Sequence, residues 1–376
     1  MRKLLLATLM FSSSVALAGS PNVPESQRAP SKKVDLVIAL DTSSSMNGLI
    51  DGARAKLWDV VNLLAQAKPQ PVLRVGLISY GNDGYDAGAG WVRKEADLTT
   101  NLDQVYSKLF GLGTNGGSEY VARALHDATG RMKWDQDQGT LKIIFVAGNE
   151  GADQDPKITL EAALGEAREK GIFVNTIYCG SSSASESAGW QKVAALGHGK
   201  YAAIDHNRHV AIATPMDSEL SKLSDELNKT YVGYGRGAAE GAMLQSSMDK
   251  SSGGMGAPAA ASRAAAKASA LYRNDEWDLV DARAHGKKNV TAMPAAELPA
   301  PMRAMDDKAR AAYLDGKAKD RAALQKRIGE LSQKRDAYLV EERKKRPTAS
   351  GDGRGSLDDA LNKSIRSEAE AQGMSF

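Results

Sequence analysis

The chain has 376 residues, with 49 Lys and Arg against 46 Asp and Glu, five His and one Cys. So even a balance argues against a charge-driven nucleic-acid or anionic-membrane binder, and one cysteine excludes an intrachain disulfide. The length leaves room for one full α/β domain and an additional region, because single cores rarely grow past about 250–300 residues.

Arg2 and Lys3 precede an apolar run from Leu4 to Leu17, and Ala16-Leu17-Ala18 places small residues where signal peptidase reads. Residues 1–18 are therefore expected to be a cleaved secretory signal that delivers the protein to the periplasm or beyond; a retained anchor is the alternative. This segment holds two basic and no acidic residues, so the remainder carries 47 basic against 46 acidic. Residues 19–32, with three prolines and no hydrophobic period, read as a flexible leader.

Lys33 to Met46 reads K-V-D-L-V-I-A-L-D-T-S-S-S-M. The run Val34–Leu40 is the pattern of a strand buried on both faces of a parallel sheet, and Asp41 ends it. Asp41, Ser43 and Ser45 are alternate residues on the loop that follows, where open α/β sheets bind ligands. A carboxylate and two hydroxyls on one loop suit a hard cation held by oxygen, Mg²⁺ in particular, with Mn²⁺ or Ca²⁺ as alternatives. The competing reading is a Ser-rich loop that caps the next helix.

Leu49 to Ala65 has helical spacing, stopped by Pro69 and Pro71. Val72–Tyr80 reads as a strand, and after the turn Gly81-Asn82-Asp83-Gly84 the stretch Trp91–Ala96 alternates as an antiparallel edge strand does. Gly111 to Glu119 is a glycine-rich loop between two helical stretches; its Ser118 and Glu119 read equally as the first turn of the following helix. Leu141–Ala147 is a second buried strand. Pro156–Lys170 reads as a helix closed by Gly171, Ile172–Tyr178 as a strand ending at a buried Cys179, and Trp190–Leu196 as a short helix. The last strand begins at Gly197–Tyr201, and Met216–Leu227 is helical. This alternation defines a doubly wound, mostly parallel sheet with helices on both faces. His198, His206 and His209 read as surface residues rather than metal ligands, since no cysteine accompanies them.

The strand with Asp41-Thr42-Ser43-Ser44-Ser45 resembles the opening of a von Willebrand factor type A domain, whose metal-ion-dependent adhesion site begins Asp-x-Ser-x-Ser, and the likeness extends over residues 33 to 235. What the resemblance implies for the glycine-rich loop is that Thr114 contributes the next metal-directed oxygen. It also implies an aspartate after the strand at 141–147, where this chain has Gly148-Asn149-Glu150-Gly151. The substitute oxygen is then expected from Asn149 or Glu150, or from Asp153 or Asp155 in the loop, and a site with one fewer carboxylate should hold its ion more weakly. Asn228 to Gly235 resembles the end of the domain in exported bacterial proteins of this type that carry a further C-terminal region.

Gly237 to Ala270 is rich in Ala, Ser, Gly and Met, which predicts a linker, with helix as an option over Ser262–Ser269, between the domain at 33–236 and a mainly helical region at 271–376. Leu271–Val280 is apolar enough to pack back on a domain. Asp306–Arg346 predicts a long charged helix with Leu314, Leu324, Ile328, Leu331 and Tyr338 near a seven-residue repeat, interrupted by Arg321 and Arg335; a hairpin, a coiled coil with a partner and a solvated arm all fit that stripe. A short amphipathic helix closes the chain. Two functions follow: a module that binds a partner's Asp or Glu through the cation, or a scaffold whose C-terminal helices make the contacts. With no G-x-S-x-G elbow, phosphate loop or histidine near Ser43 and Ser45, an enzyme is not expected.

Overall fold

The computed structural model describes residues 32–204, 211–289, 293–345 and 357–376. The expected signal and the leader up to Ser31 lie outside them, as do His206 and His209. Strand β1, Lys33–Asp41, explains its own composition: Val34, Leu36 and Leu40 enter one apolar cluster while Val37 and Ala39 enter another on the opposite face. With both faces covered there is no solvent side to be polar, hence the nearly continuous apolar run, broken by Asp35, which is buried and paired with Arg74.

The remaining elements follow in chain order. Helix α1 is Asn47–Ala65, β2 Val72–Tyr80, β3 Val92–Thr99, α2 Leu102–Phe110, α3 Val121–Arg131 and β4 Leu141–Gly148. Then come α4 Leu160–Glu169, β5 Ile172–Tyr178, α5 Ser187–Leu196, β6 His198–Ala203 and α6 Asp217–Asn228. The sheet order is β3-β2-β1-β4-β5-β6, with every pair parallel except β2–β3, which is antiparallel at the edge. The winding reverses between β1 and β4, and their carboxyl ends, Asp41 and Gly148, flank that crevice. Helix α4 starts four residues later than the periodicity suggested. Thr159 caps it through Ala162 N, while Asp155 accepts the N–H groups of Lys157 and Ile158 and holds them out of the helix.

The segment expected as a linker is a correction to the sequence reading. It forms helices α7, Ala238–Gly254, and α8, Ala257–Ala268, and Lys32–Phe376 is one compact unit. Its low content of bulky apolar residues does not prevent packing, because Ala261, Ala264 and Ala266 are fully buried and let α8 lie against α6 and α1. The polar residues on the same helix are buried in pairs. Arg263 donates to Asp103, Asp249 and Gln245 O and lies over the Trp58 ring; Lys267 donates to Asp249, Asn228 and Ser224.

Leu271, Tyr272 and Trp277 pack back as expected. Helix α9, Leu279–Ala284, joins Val232, Met302 and Leu314 in a third apolar cluster. Helix α10, Asp307–Lys345, buries Leu314, Arg321, Ile328 and Arg335, one every seven residues. The two arginines are therefore the seam's anchors and not interruptions: Arg321 bonds Asp278, Asp281 and Thr230 O, and Arg335 bonds Asp217. That seam is buried within its own chain, against α6, α8 and α9. Helix α11, Leu357–Ala371, places Ile365 and Ala369 in the cluster beneath β1 and α1, and Ser375 pairs with Lys68.

Candidate functional site

Asp41 is the last residue of β1 and is fully buried. Its Oδ1 accepts the Ser43 N–H at 2.8 Å, which fixes the rotamer, whereas Oδ2 finds no hydrogen-bond partner. Burial pushes the carboxyl up to about 7; the Ser43 hydrogen bonds pull it down, and the charges of Glu119 and Glu150 raise it further. The Ser43 hydroxyl lies 3.3 Å from that of Ser45, and Ser45 Oγ donates to Asn149 Oδ1 at 3.4 Å. Asp41, Ser43, Ser45 and Asn149 thus share one end of the sheet, with Glu150 close enough to act on Asp41.

The glycine-rich loop comes to the same end. Ser44 N–H donates to Gly116 O at 2.7 Å, Asn115 N–H to Thr42 O at 3.1 Å, and Asn82 Nδ2 to Gly113 O at 3.0 Å. Thr114 sits in this loop as expected, but its hydroxyl donates to Asn47 Oδ1 at 2.9 Å and not to the serines. Ser118 and Glu119 precede α3, which begins at Val121, so they belong to the loop and not to the helix's first turn. Glu119 is buried; burial and the charge of Glu150 raise its carboxyl, and the Ser43 hydroxyl partly offsets them. The sequence reading left Glu119 outside the site, and nothing in local spacing marks it. Asp155 is committed elsewhere, paired with Arg123 at 3.0 Å through both its oxygens.

Position 148 is closed as well as bare. A Cβ there would stand 2.6 Å from Tyr80 Oη, 3.0 Å from Asp41 Oδ2 and 3.1 Å from Trp190 Cη2. Tyr80, fully buried and donating to Ala147 O, fills the space that an aspartate would need. Among the described residues no three His, Cys, Asp or Glu side chains are placed to hold a metal by themselves. A divalent cation nonetheless suits the oxygens present, since a buried carboxylate oxygen without a partner is a group that a cation or a proton must satisfy.

A doubly wound sheet with an acidic and hydroxyl loop cluster at its switch point is the class that the fold and the site define. The model of the von Willebrand factor type A domain family matches residues 35–226, just over half of the chain, and the chain belongs to that family. No curated protein sequence matches it. Among solved structures it is similar to the SpRpn10 VWA domain at 16% identity, covering 46% of this chain and 88% of that one, TM-score 0.35. It is also similar to proximal thread matrix protein 1 from the mussel byssus, described with a zinc-occupied MIDAS motif, at 12% identity over 46% and 42%, TM-score 0.36. The pilus adhesin SpaC of Lactobacillus rhamnosus GG matches at 17% identity over 47% and 28%, TM-score 0.35. The chain thus spans less than half of the mussel and pilus chains. At these scores the assignment rests on the family match and the strand order. No helix among the described residues is long and apolar enough to cross a membrane.

Proposed function

We propose that the protein is an exported, non-enzymatic binding module that takes an Asp or Glu of a protein partner at the carboxyl edge of its sheet, with the help of a divalent cation. The observation that carries this reading is the buried Asp41 Oδ2, left without a partner beside the Ser43 and Ser45 hydroxyls. Asp41, Ser43 and Ser45 would hold the ion, with Asn149 or Glu150 contributing from the β4 loop and Thr114 joining on exchange of its bond to Asn47. An all-oxygen set of this kind favours Mg²⁺, Mn²⁺ or Ca²⁺ over softer metals. When bound, the ion supplies positive charge and an open coordination position for an anionic oxygen. The Ser43 N–H orients Asp41 by engaging Oδ1 and leaving Oδ2 available. Ser43 and Ser45 bond each other and Asn149 rather than a histidine base, which supports binding over nucleophilic catalysis.

The blocked position 148 favours a second reading, in which the site no longer holds an ion and the exposed face of α10 serves as a scaffold. Calorimetric titration of the full chain with Mg²⁺ and Mn²⁺, beside Asp41→Ala, separates the two. Pull-down from periplasmic extract with and without chelator adds the partner. The binding reading expects ion uptake lost in Asp41→Ala and a partner lost in both the variant and chelator. The same proteins retained in all three conditions would leave the scaffold reading standing.

A further inference from the structure

We propose, on the cation-site reading above, that Glu119 supplies the second carboxylate of the site, taking the role that the closed position 148 cannot. Asp41 reaches the site from the end of β1 and Glu119 from the glycine-rich loop, and the two approach each other over Gly81. A Cβ at Gly81 would lie 2.9 Å from Asp41 Oδ1 and 3.0 Å from Glu119 Cγ, and Gly81 has φ +74°. Any side chain at residue 81 would therefore part the two acids, besides straining the backbone. The glycine-rich loop is clamped where this approach requires it, by Ser44 N–H to Gly116 O, three residues before Glu119.

Both acids are buried, Asp41 at 0% and Glu119 at 8% exposure, although carboxylates are seldom buried without a cation or a hydrogen-bond set to compensate. Among the described residues neither makes an ion pair; the charges that act on Asp41 are those of Glu119 and Glu150, and those that act on Glu119 are Glu150 and Asp83, all negative. Asp41 Oδ2 is orphaned, and the Ser43 hydroxyl serves both side chains' surroundings. A second negative charge placed between these loops is explained by an ion that both acids share. Asp41 and Glu119 together match the charge of a divalent cation, whereas Asp41 alone leaves half of it uncompensated.

The test uses the full chain and Mn²⁺ as the probe, with free ion followed by electron paramagnetic resonance and bound ion by calorimetry. Glu119→Gln keeps the shape and removes only the charge; it should weaken Mn²⁺ binding by about tenfold or more, because ligand charge count is one of the terms that set affinity. Asp83→Asn, at an exposed acid whose charge also acts on Glu119, is the control for the general field and should weaken it far less. Thermal melting in chelator should leave Glu119→Gln at or above wild type, since it relieves repulsion between buried acids. Equal binding by wild type and Glu119→Gln, or equal weakening by Asp83→Asn, overturns the role of Glu119 and leaves the Asp41 site in place. Absence of Mn²⁺ binding by the wild type overturns the site reading itself, and Glu119 with it.

Discussion

Replacing Arg263 by Met tests whether α7 and α8 are part of the domain's core. The guanidinium is 1% exposed, donates to Asp103 at 2.6 and 3.3 Å, to Asp249 and to Gln245 O, and lies 4.8 Å above the Trp58 ring. Methionine fills much of the volume but strands the carboxylates. Removing one member of a buried ion pair typically destabilises by about 3–5 kcal/mol. Here Lys267 still neutralises Asp249 and Tyr272 Oη still donates to Asp103, so the lower end, about 3 kcal/mol, is expected. Urea unfolding followed by tryptophan fluorescence should show the midpoint falling by about 1 M. Arg263→Met with Asp103→Asn should recover part of the loss, because the second change removes the uncompensated charge. A loss below about 1 kcal/mol in the single variant would refute the claim that this network fastens the Ala-rich helices to the sheet domain.

At Glu368, buried on α11, burial pushes the carboxyl up to about 7 against the smaller pull of the Asn175 side chain and the Lys200 charge. An acid raised in the folded state contributes stability that is full below its unfolded value near 4.5 and is lost as pH rises through about 7. Glu368→Gln should therefore flatten the pH dependence of melting across that window and stabilise the protein at pH 8 by up to about 3 kcal/mol; an unchanged slope would count against it. Gly148→Ala drives a methyl against Tyr80 Oη and should lower stability by about 1–3 kcal/mol in thermal melts, with Tyr80→Phe in that background recovering part. On the export reading, protein purified from the periplasm should begin at Gly19 by mass spectrometry, and an intact Met1 would overturn the cleavage reading.

The strands were legible because burial on both faces leaves a continuous apolar signature, and β2 and β5 run over the residues that the pattern predicts. The burial of helix α8 was not, although its composition left a helix open over Ser262–Ser269, because its buried residues are Ala, Ser, Arg and Lys, which by composition resemble a solvated linker. Their burial is settled by partners on α2 and α7 that no local window contains. At the site, Asp41, Ser43 and Ser45 share one short loop, so spacing alone joined them. Glu119 reaches Asp41 only through the fold, and the direction of the Thr114 hydroxyl depends on Asn47 across the loop. The glycine at 148 was visible at once, but its reason lies in a tyrosine on one neighbouring element and a tryptophan on another.

Helix α11 bears on the order in which the chain can become a domain. Ile365, Ala369 and Met374 belong to the same apolar cluster as Val34, Leu36 and Trp58, and Ser375 exchanges two backbone hydrogen bonds with Lys68. The cluster that covers the sheet's first strand is thus completed from a helix far along the chain, a closure spanning most of the sequence. Chains that depend on such distant contacts fold late and slowly. A fragment cut to residues 33–226 would retain every strand yet present an uncovered apolar face, and it should aggregate where the full chain does not.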